Sequence, residues 1–440
     1  MSSYIRRKSR GDTDWFVHDR FGMFIHWGLY SMPARHEWLK SRECLTEEHY
    51  DKFFKYFNPD MYDPKDWAKR AKDGGMKYAV FTAKHHEGFW MFDSKYTEYK
   101  CTNTPAGRDL VREYVDAFRA EGLKIGFYYS LIDWNHPHFP IDCTHPRRFD
   151  KDAYEQSKGR DIKKYAEYMR NQVTELLTNY GKIDIIWYDY SYPHVSGPAE
   201  WMHGKGKKDW ESEKLIALTR ELQPGIIIDN RSDFDDYDIQ TPEQFQPLNW
   251  ERDRKTGELA TWEACQTFSG SWGYYRDELT WKSPEILIQM LINTVSRGGN
   301  LLMNVGPTSR GYFDDRAKKA LDVYAEWMKY NSRSIYGCTM AEPGITEPRG
   351  CRMTQSEDGK RLYLHVFEYP SKYLIIPNIG EMIDYAQFLH DGSEIKMTLG
   401  SELAGGEHMI PHDCDAKVLI LELPPVKPNV IVPVVEMFLK

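Results

Sequence analysis

One carboxylate in this sequence stands at the end of an apolar stretch, where a side chain can do chemistry. Asp189 directly follows residues 183–188, which read Ile-Asp-Ile-Ile-Trp-Tyr. A carboxylate placed there is partly removed from water, which costs free energy unless the group is paired or used. Retaining glycoside hydrolysis needs such a nucleophile, with a proton-donating carboxyl group about 5 to 5.5 Å away. We interpret Asp189 as a candidate nucleophile, with a salt bridge or a cap at a strand-to-loop junction as the alternative.

The second carboxyl group is expected on a loop after Asp189, and three glutamates are candidates. Glu243 lies in the segment Thr-Pro-Glu-Gln, Glu251 follows it, and Glu263 lies in Thr-Trp-Glu-Ala-Cys. Spacing alone does not choose among them. Glu263 also falls within a predicted strand, where it could instead be a residue at the edge of the core.

Polar or aromatic side chains also stand where most of the other apolar runs end. The catalytic groups of a parallel barrel gather at the carboxyl ends of its strands. One such end carries little information, but five in the same position predict a site. The segments are His26-Trp27, Lys84–Glu87, Tyr128–Ser130 followed by Asp133-Trp134, Trp187–Asp189 and Asp229–Arg231.

Three histidines in these segments, His26, His85 and His86, could bind either a metal ion or sugar hydroxyls. Histidines on loops do occur in metal sites, but adjacent side chains diverge and no helical pair such as HExxH is present. Neutral imidazoles hydrogen-bond hydroxyl groups, and tryptophans, whose faces stack on sugar rings, are close in the sequence. We favour sugar binding, with a structural role for one of the two adjacent histidines as the alternative. The tryptophans are Trp27, Trp38, Trp90 and Trp187.

Arg231 ends the fifth apolar run and carries a fixed charge. It could hold Asp189 ionised or bind a substrate hydroxyl. The alternative is a structural ion pair with an acid of residues 233–236, which read Asp-Phe-Asp-Asp.

The apolar runs alternate with helical patterns, which predicts a parallel sheet covered by helices. The predicted strands are Phe21–Trp27, Tyr78–Thr82, Lys124–Ser130, Ile183–Tyr190, Gly225–Asn230 and Asn300–Val305. The predicted helices are Thr46–Phe57, Pro64–Asp73, Asp109–Glu121, Lys151–Tyr180, Trp210–Leu222, Pro284–Ser296 and Phe313–Tyr330.

Six strands are clear, Thr261–Thr267 is a candidate seventh, and no eighth is visible. Closure into a (β/α)8-type barrel, one that can be irregular, is therefore an inference. A doubly wound open sheet is the rival fold. It is disfavoured because residues 26–30 read His-Trp-Gly-Leu-Tyr, without the glycine-rich turn GxGxxG of dinucleotide-binding folds.

After about residue 336 short strands follow one another without a helical period. This pattern predicts a C-terminal antiparallel β-sandwich, and we divide the chain into a catalytic barrel (1–338) and a sandwich domain (339–440). The predicted strands are Arg361–Phe367, Tyr373–Pro377, Ala386–Leu389, Glu394–Leu399, Ala416–Leu423 and Asn429–Met437.

Composition narrows the classes of function. The 440 residues carry a net charge of -8 and a pI near 6.0, so nothing favours nucleic acid or an anionic membrane. Seven widely spaced cysteines without a CxxC pair favour reduced thiols over disulfides or zinc. With no signal peptide at the start and no apolar run of membrane-spanning length, we expect a cytoplasmic protein, with a secreted protein whose signal peptide has been removed as the alternative. Aromatic residues make up 14% of the chain, which fits a sugar-binding site and a tryptophan-rich core equally well.

Taken together and in order, several segments between residues 15 and 310 resemble glycoside hydrolase family 29, the α-L-fucosidases. Each segment alone is weak evidence, but the set is specific. The matching segments are Trp15-Phe16, Phe21–Gly28, Glu37-Trp38, Lys84–Phe89, Tyr128–Ser130, Trp187–Asp189, Asp229–Arg231, Trp262-Glu263, Ser271–Tyr274 and Gly299–Pro307.

The resemblance implies a retaining exo-enzyme that removes terminal α-linked L-fucose from an oligosaccharide or glycoconjugate, without a metal or organic cofactor. It implies that Asp189 is the nucleophile, and it favours Glu243 as the acid/base with Glu263 as second choice. Trp272 matches an aromatic position that packs on the fucose methyl group. The other residues implied to line the pocket are His26, Glu37, Trp38, His85, His86, Tyr129, Trp187 and Arg231.

The sequence departs from many family members in the short interval between His26 and Glu37. This leaves open how the pocket rim is built, and a neighbouring subunit of a homo-oligomer could complete it. Rival functions are a glycosidase for another sugar such as L-galactose, a metal-dependent hydrolase that uses the histidines, and a sugar-binding module without catalysis.

Overall fold

The computed structural model describes residues 4–402 and 415–440, so Cys414 lies outside the described residues. Eight parallel strands form one sheet in the order β5-β4-β3-β2-β1-β8-β7-β6. This confirms the barrel, including the candidate seventh strand. The strands are β1 (Phe21–Ile25), β2 (Tyr78–Lys84), β3 (Lys124–Ser130), β4 (Ile185–Asp189), β5 (Ile227–Ile228), β6 (Ile239–Gln240), β7 (Thr261–Thr267) and β8 (Asn300–Val305).

The strand that the sequence did not reveal is β6, which has only two residues. It pairs in parallel with β7, and a single bridge from Asp229 to Ile239 joins it to the end of β5. Two residues next to an acidic segment make no hydrophobic run, so periodicity could not reveal this strand. The barrel is therefore nearly closed, with its weakest seam between β5 and β6.

The buried carboxylate of Asp238 stabilises that seam. Its Oδ1 accepts hydrogen bonds from the backbone N–H groups of Arg10 and Gly11, at 2.9 and 2.8 Å. Its Oδ2 accepts from the backbone N–H of Ile228 at 2.9 Å and pairs with the buried Arg220 guanidinium at 2.9 Å. One side chain thus joins β5, the start of β6, the N-terminal segment and a helix.

Helices cover the outside of the barrel, and their apolar faces form the larger core cluster. The predicted helix Lys151–Tyr180 is wrong as one element: it is broken around Gly159, and Asp161 caps the second helix by accepting from the Lys163 N–H. Among the described residues no helix is long and apolar enough to span a membrane. The helices are α1 (Asp14–Asp19), α2 (Leu39–Arg42), α3 (Glu47–Tyr56), α4 (Pro64–Asp73), α5 (Leu110–Ala120), α6 (Ala153–Lys158), α7 (Ile162–Asn179), α8 (Lys207–Trp210), α9 (Ser212–Leu222), α10 (Pro284–Val295) and α11 (Asp315–Asn331).

A second core fills the inside of the barrel, because alternate residues of each strand point inward. Aromatic rings occupy much of this space. A Cβ on Gly22 would lie 2.3 Å from the Tyr78 ring, so glycine on β1 makes room for that ring. The interior strand residues are Phe24, Tyr78, Val80, Tyr128, Ile185, Trp187, Ile227, Ile239, Cys265 and Leu302.

The C-terminal part consists of two antiparallel sheets in the orders β13-β16-β11-β10-β9 and β12-β15-β14. Apolar residues of both sheets form one core, which confirms the sandwich. The sequence did not reveal β9 and β10, and the proposed boundary after residue 338 falls within β9, which pairs with β10. The strands are β9 (Cys338–Met340), β10 (Cys351–Ser356), β11 (Arg361–Val366), β12 (Tyr373–Ile376), β13 (Ile383–Phe388), β14 (Lys396–Leu399), β15 (Leu419–Glu422) and β16 (Val434–Leu439).

Replacing Asp238 by alanine tests the seam. The substitution leaves the buried Arg220 charge and three backbone N–H groups without their acceptor, so we expect a loss of about 3–5 kcal/mol in the free energy of unfolding, measured with urea. Asp235→Ala is the control, because the Asp235–Lys255 ion pair is exposed and should contribute less than about 1 kcal/mol. Equal losses in the two variants would contradict this account.

Candidate active site

A pocket opens at the carboxyl ends of the barrel strands. It brings together ten of the thirteen residues that the sequence analysis named as catalytic or pocket-lining candidates; the three others, Tyr129, Glu251 and Glu263, lie outside it. The pocket is lined by Phe24, His26, Glu37, Trp38, His85, His86, Tyr128, Trp187, Asp189, Tyr190, Arg231, Glu243, Cys265 and Trp272.

One nitrogen of Arg231 holds the two candidate catalytic carboxylates. Arg231 Nη1 donates to Asp189 Oδ1 at 3.0 Å and to Glu243 Oε2 at 2.6 Å. The two oxygens are therefore at most roughly 5.6 Å apart, the sum of these two distances. That separation matches retaining glycoside hydrolysis, whereas inverting enzymes keep their carboxyl groups about 6.5 to 9.5 Å apart to admit a water molecule.

The rest of the guanidinium is fixed by its surroundings. Its Nε donates to Thr241 Oγ1 at 2.9 Å and its Nη2 to the Thr241 carbonyl at 3.1 Å. The Oδ1 atom of Asn230 in turn accepts from both the N–H and the hydroxyl of Thr241. The indole ring of Trp187 lies 4.9 Å below the guanidinium carbon. These contacts leave Arg231 one orientation, in which its charge faces both carboxylates.

Tyr128, and not Tyr129, reaches the site. Tyr128 donates from its hydroxyl to Asp189 Oδ2 at 2.6 Å. Neighbouring strand residues point to opposite faces of a sheet, so Tyr129 points outward. There its ring lies 4.5 Å from the Lys84 ammonium. The placement of Tyr129 in the pocket is therefore wrong by one residue of strand register.

Glu263 lies inside the barrel beneath the pocket. Its carboxyl group accepts hydrogen bonds from the Tyr78 hydroxyl and, at 3.1 Å, from the Trp187 Nε1–H. Complete burial raises the pKa of Glu263 to about 8. A residue enclosed in this way supports the Trp187 ring and does not reach a substrate in the pocket, which removes the basis for the second choice of acid/base.

The hydrogen bonds of His26 determine which of its nitrogens carries the proton. Asn304 donates from Nδ2 to the Trp272 carbonyl at 2.7 Å, so its Oδ1 is the atom that faces His26 Nδ1 at 2.6 Å. His26 Nδ1 must then be the donor. Burial, with His85 adding, holds the pKa of His26 well below its usual range. The neutral ring therefore presents Nε2 as a hydrogen-bond acceptor.

The two adjacent histidines have different partners. His86 Nδ1 lies 2.6 Å from the Ser130 hydroxyl, and His85 Nδ1 lies 3.3 Å from Glu87 Oε2. Burial, and then His85, lowers the pKa of His86 far below its usual range. His86 is held by its contact with Ser130, and the His85 ring packs against the rings of Tyr128 and Tyr30. Both rings therefore line one pocket although they are neighbours in the sequence.

The loop after β7 forms the opposite wall. Glu37 Oε2 accepts from the backbone N–H of Gly273 at 3.0 Å, which joins this loop to the segment before α2. The Trp272 ring packs 5.1 Å from the His26 ring and 6.0 Å from the Phe24 ring. This corner of the pocket is aromatic and suits an apolar group of a ligand.

Comparison with known proteins gives the family. A family model described as alpha-L-fucosidase matches residues 5–333. The chain belongs to the alpha-L-fucosidase family. Plasma alpha-L-fucosidase of Homo sapiens is 29% identical over 349 residues, which cover 73% of this chain and 68% of that protein.

Solved structures of family members have the same architecture. Alpha-L-fucosidase isoenzyme 1 from Paenibacillus thiaminolyticus aligns with a TM-score of 0.88 and 41% identity, over 98% of this chain and 99% of that one. A GH29 alpha-L-fucosidase from Bacteroides thetaiotaomicron, trapped as a covalent intermediate with 2-fluoro-fucosyl fluoride, aligns with a TM-score of 0.81 and 27% identity, over 100% and 98% of the chains. The predicted enzyme class, α-L-fucosidase, is confirmed.

Some residues of the fucosidase pocket were missed by sequence reasoning. Tyr128 could have been found from strand alternation, because it shares an inward face with Trp187, its register partner on β4. Cys265 could have been found in the same way on β7. Phe24 gives no sequence signal of its own, since it stands among apolar strand residues. The same holds for Asn304, which does not line the pocket but contacts His26. Tyr190 stands outside the strands, directly after Asp189.

The histidines were also candidates for a metal site. Across residues 4–402 and 415–440 no group of three or more His, Cys, Asp or Glu side chains has a geometry that could hold a metal ion. The arrangement instead offers two carboxylates on one arginine, neutral imidazoles and an aromatic wall, which suits acid/base and nucleophilic chemistry on a sugar.

Glu263→Gln tests the structural role of Glu263. With its pKa near 8, Glu263 is mostly protonated at pH 7, so the amide should preserve fucosidase activity within about threefold. An acid/base residue would lose about 100-fold or more, and such a loss would refute the assignment.

The same variant should change the pH dependence of stability. The folded pKa of Glu263 lies above the unfolded value, so wild type binds an extra proton when folded and loses stability as the pH rises from 4.5 through 8. Glutamine does not titrate. The melting temperature of the variant should therefore rise relative to that of wild type between pH 5 and pH 8. Parallel melting-temperature profiles against pH would contradict the raised pKa.

Proposed function

We propose that the protein is a retaining exo-α-L-fucosidase that removes terminal α-linked L-fucose from oligosaccharides or glycoconjugates through a covalent fucosyl-Asp189 intermediate. The observation that carries this proposal is the pair of carboxylates on one nitrogen of Arg231. Their separation suits a direct attack by one carboxylate and leaves no room for a water molecule between acid and base.

In the first step Asp189 attacks the anomeric carbon while Glu243 donates a proton to the departing oxygen. The bond from carbon to the leaving oxygen breaks, and an ester bond to Asp189 forms. Tyr128 and Arg231 hold the two Asp189 oxygens in hydrogen bonds before the attack. Asp189 is the more enclosed of the two acids and Glu243 the more exposed, which suits a nucleophile at the floor and a proton donor on the leaving-group side.

In the second step Glu243, now ionised, takes a proton from a water molecule that attacks the same carbon from the side that the leaving group has left. The ester bond to Asp189 breaks, and fucose departs with net retention. Two inversions at one carbon give the original configuration, and both carboxyl groups return to their starting protonation states.

The walls of the pocket support fucose as the sugar. His26 presents a neutral acceptor nitrogen, which suits a sugar hydroxyl as donor. Trp272 and Phe24 offer an apolar corner to the C5 methyl group. The pocket is lined by side chains gathered at the strand ends, which suits the binding of a single terminal sugar, hence exo action.

Relatives add support. The Bacteroides thetaiotaomicron enzyme is described as a trapped covalent intermediate in complex with 2-fluoro-fucosyl fluoride, which accords with double displacement in the family. The cytoplasmic location, the homo-oligomer and the division at residue 338 stay predictions.

Asp189→Gly tests the nucleophile. We expect kcat on an aryl α-L-fucoside to fall by at least about 10⁴-fold, because no group remains to form the ester. Added azide should occupy the vacated space, attack from the same side and give β-fucosyl azide. A rate close to wild type without azide would refute the mechanism.

Glu243→Gly tests the acid/base with the opposite stereochemistry. Azide should attack the fucosyl-Asp189 ester from the side of the missing glutamate and give α-fucosyl azide. The rate of fucoside cleavage should fall only slightly on an aryl fucoside with a good leaving group. It should fall about 100-fold or more on a substrate with a sugar leaving group, because that group needs the proton. Formation of the β-azide would contradict the assignment.

A further inference from the structure

Tyr190, directly after Asp189, has a backbone conformation that bulky side chains rarely adopt. Its φ is +81°, within the left-handed region that favours glycine. Residues strained in this way concentrate at sites where the side chain serves a function, because the surrounding structure must otherwise hold them at a cost. The left-handed φ of Tyr190 therefore indicates that its ring has a function.

The ring stands at the mouth of the pocket. Its centre lies 4.9 Å from the Trp38 ring, 5.2 Å from the His86 ring and 5.1 Å from the Tyr192 ring. These three neighbours hold it from behind, yet the residue remains partly exposed. Within residues 4–402 and 415–440, no other side chain or backbone group hydrogen-bonds its hydroxyl. The ring is thus fixed in place while part of its surface is free.

Both catalytic carboxylates influence this residue. Burial raises the pKa of Tyr190 to about 12, and Asp189, then Cys143 and then Glu243 add to the effect. Tyr190 lines the same pocket as both carboxylates. The leaving group departs beside the acid, and the Glu243 side chain, 43% exposed, marks the solvent side of the pocket. A partly exposed ring at this position faces the space that a leaving group occupies.

We propose that Tyr190 is a specificity-determining residue that stacks its ring on the leaving group. The preferred leaving groups would then present a flat apolar face, as the pyranose ring of a glycan or an aryl group does. This inference rests on the proposed function, since it assumes cleavage between fucose and that group.

The competing explanation is that Tyr190 only completes the wall of the fucose subsite through Trp38 and His86. The two explanations differ in what they predict for fucose itself. A wall residue affects fucose binding and every substrate alike, whereas a leaving-group residue affects only substrates whose leaving group has a ring.

The test compares two substrates, α-L-fucosyl fluoride, whose leaving group has no ring, and the fucosyl disaccharide that wild type hydrolyses fastest. For Tyr190→Gly, we expect kcat/KM on the disaccharide to fall about tenfold, a loss within reach of one aromatic contact. The kcat/KM on the fluoride and the inhibition constant of free fucose should stay within about twofold of the wild-type values. Tyr190→Phe keeps the ring and should keep most of the activity on both substrates.

Glycine adopts the required φ readily, so a loss of activity in Tyr190→Gly does not come from backbone strain. Should that variant unfold, Tyr190→Asn serves instead, because asparagine tolerates the left-handed region. The control is Asn378→Gly, an exposed left-handed position in the sandwich, which should leave all values unchanged. Equal losses on both substrates, or weaker fucose binding, would overturn the proposal. A wild type inactive on the fluoride would refute the proposed function itself.

Discussion

A single guanidinium organises the active site. Arg231 contacts Asp189 and Glu243 through one nitrogen, and this contact brings together carboxylates that are 54 positions apart in the sequence. The positive charge of Arg231 thus faces the side chain proposed as the nucleophile and the one proposed as the proton donor. Its own orientation depends on Thr241, Asn230 and the Trp187 ring. The relative positions of the two carboxyl groups therefore depend on the contacts of Arg231, which itself takes no part in bond making or proton transfer.

The barrel supplies those contacts through its interior. Glu263 accepts from the Trp187 indole, and that ring supports the guanidinium, so a buried carboxyl group below the pocket stabilises the charged group at its floor. Arg231 follows β5 and Glu243 follows β6, so the two strands at the nearly closed seam end next to each other at the pocket. The two-residue strand β6 is therefore important for the site, because the loops before and after it carry Arg231 and Glu243.

Sequence reasoning reached much of this arrangement from strand ends. Asp189, His26 and Arg231 follow apolar runs, and the carboxyl ends of parallel strands must meet at one edge. It erred where one residue of register matters, as with Tyr128 and Tyr129, since both are aromatic and both are buried. It also missed β6, because two residues carry no periodicity. Composition could correct neither error. The alternation of side chains along a strand tells which residue faces the pocket only once the inward face of that strand is known.

The order of polar groups along the chain was enough to indicate the parallel barrel, the family and Asp189 as the candidate nucleophile. Patterns of burial and strand ends are local, so consecutive residues reveal them. The partners of each group depended on the folded chain. Glu243 and Glu263 are both glutamates near β7, yet one contacts Arg231 at the mouth and the other lies enclosed among Tyr78 and Trp187. Which glutamate faces the substrate depends on the direction of its side chain and on how deeply that side chain is buried. Contacts between residues distant in the sequence determine both.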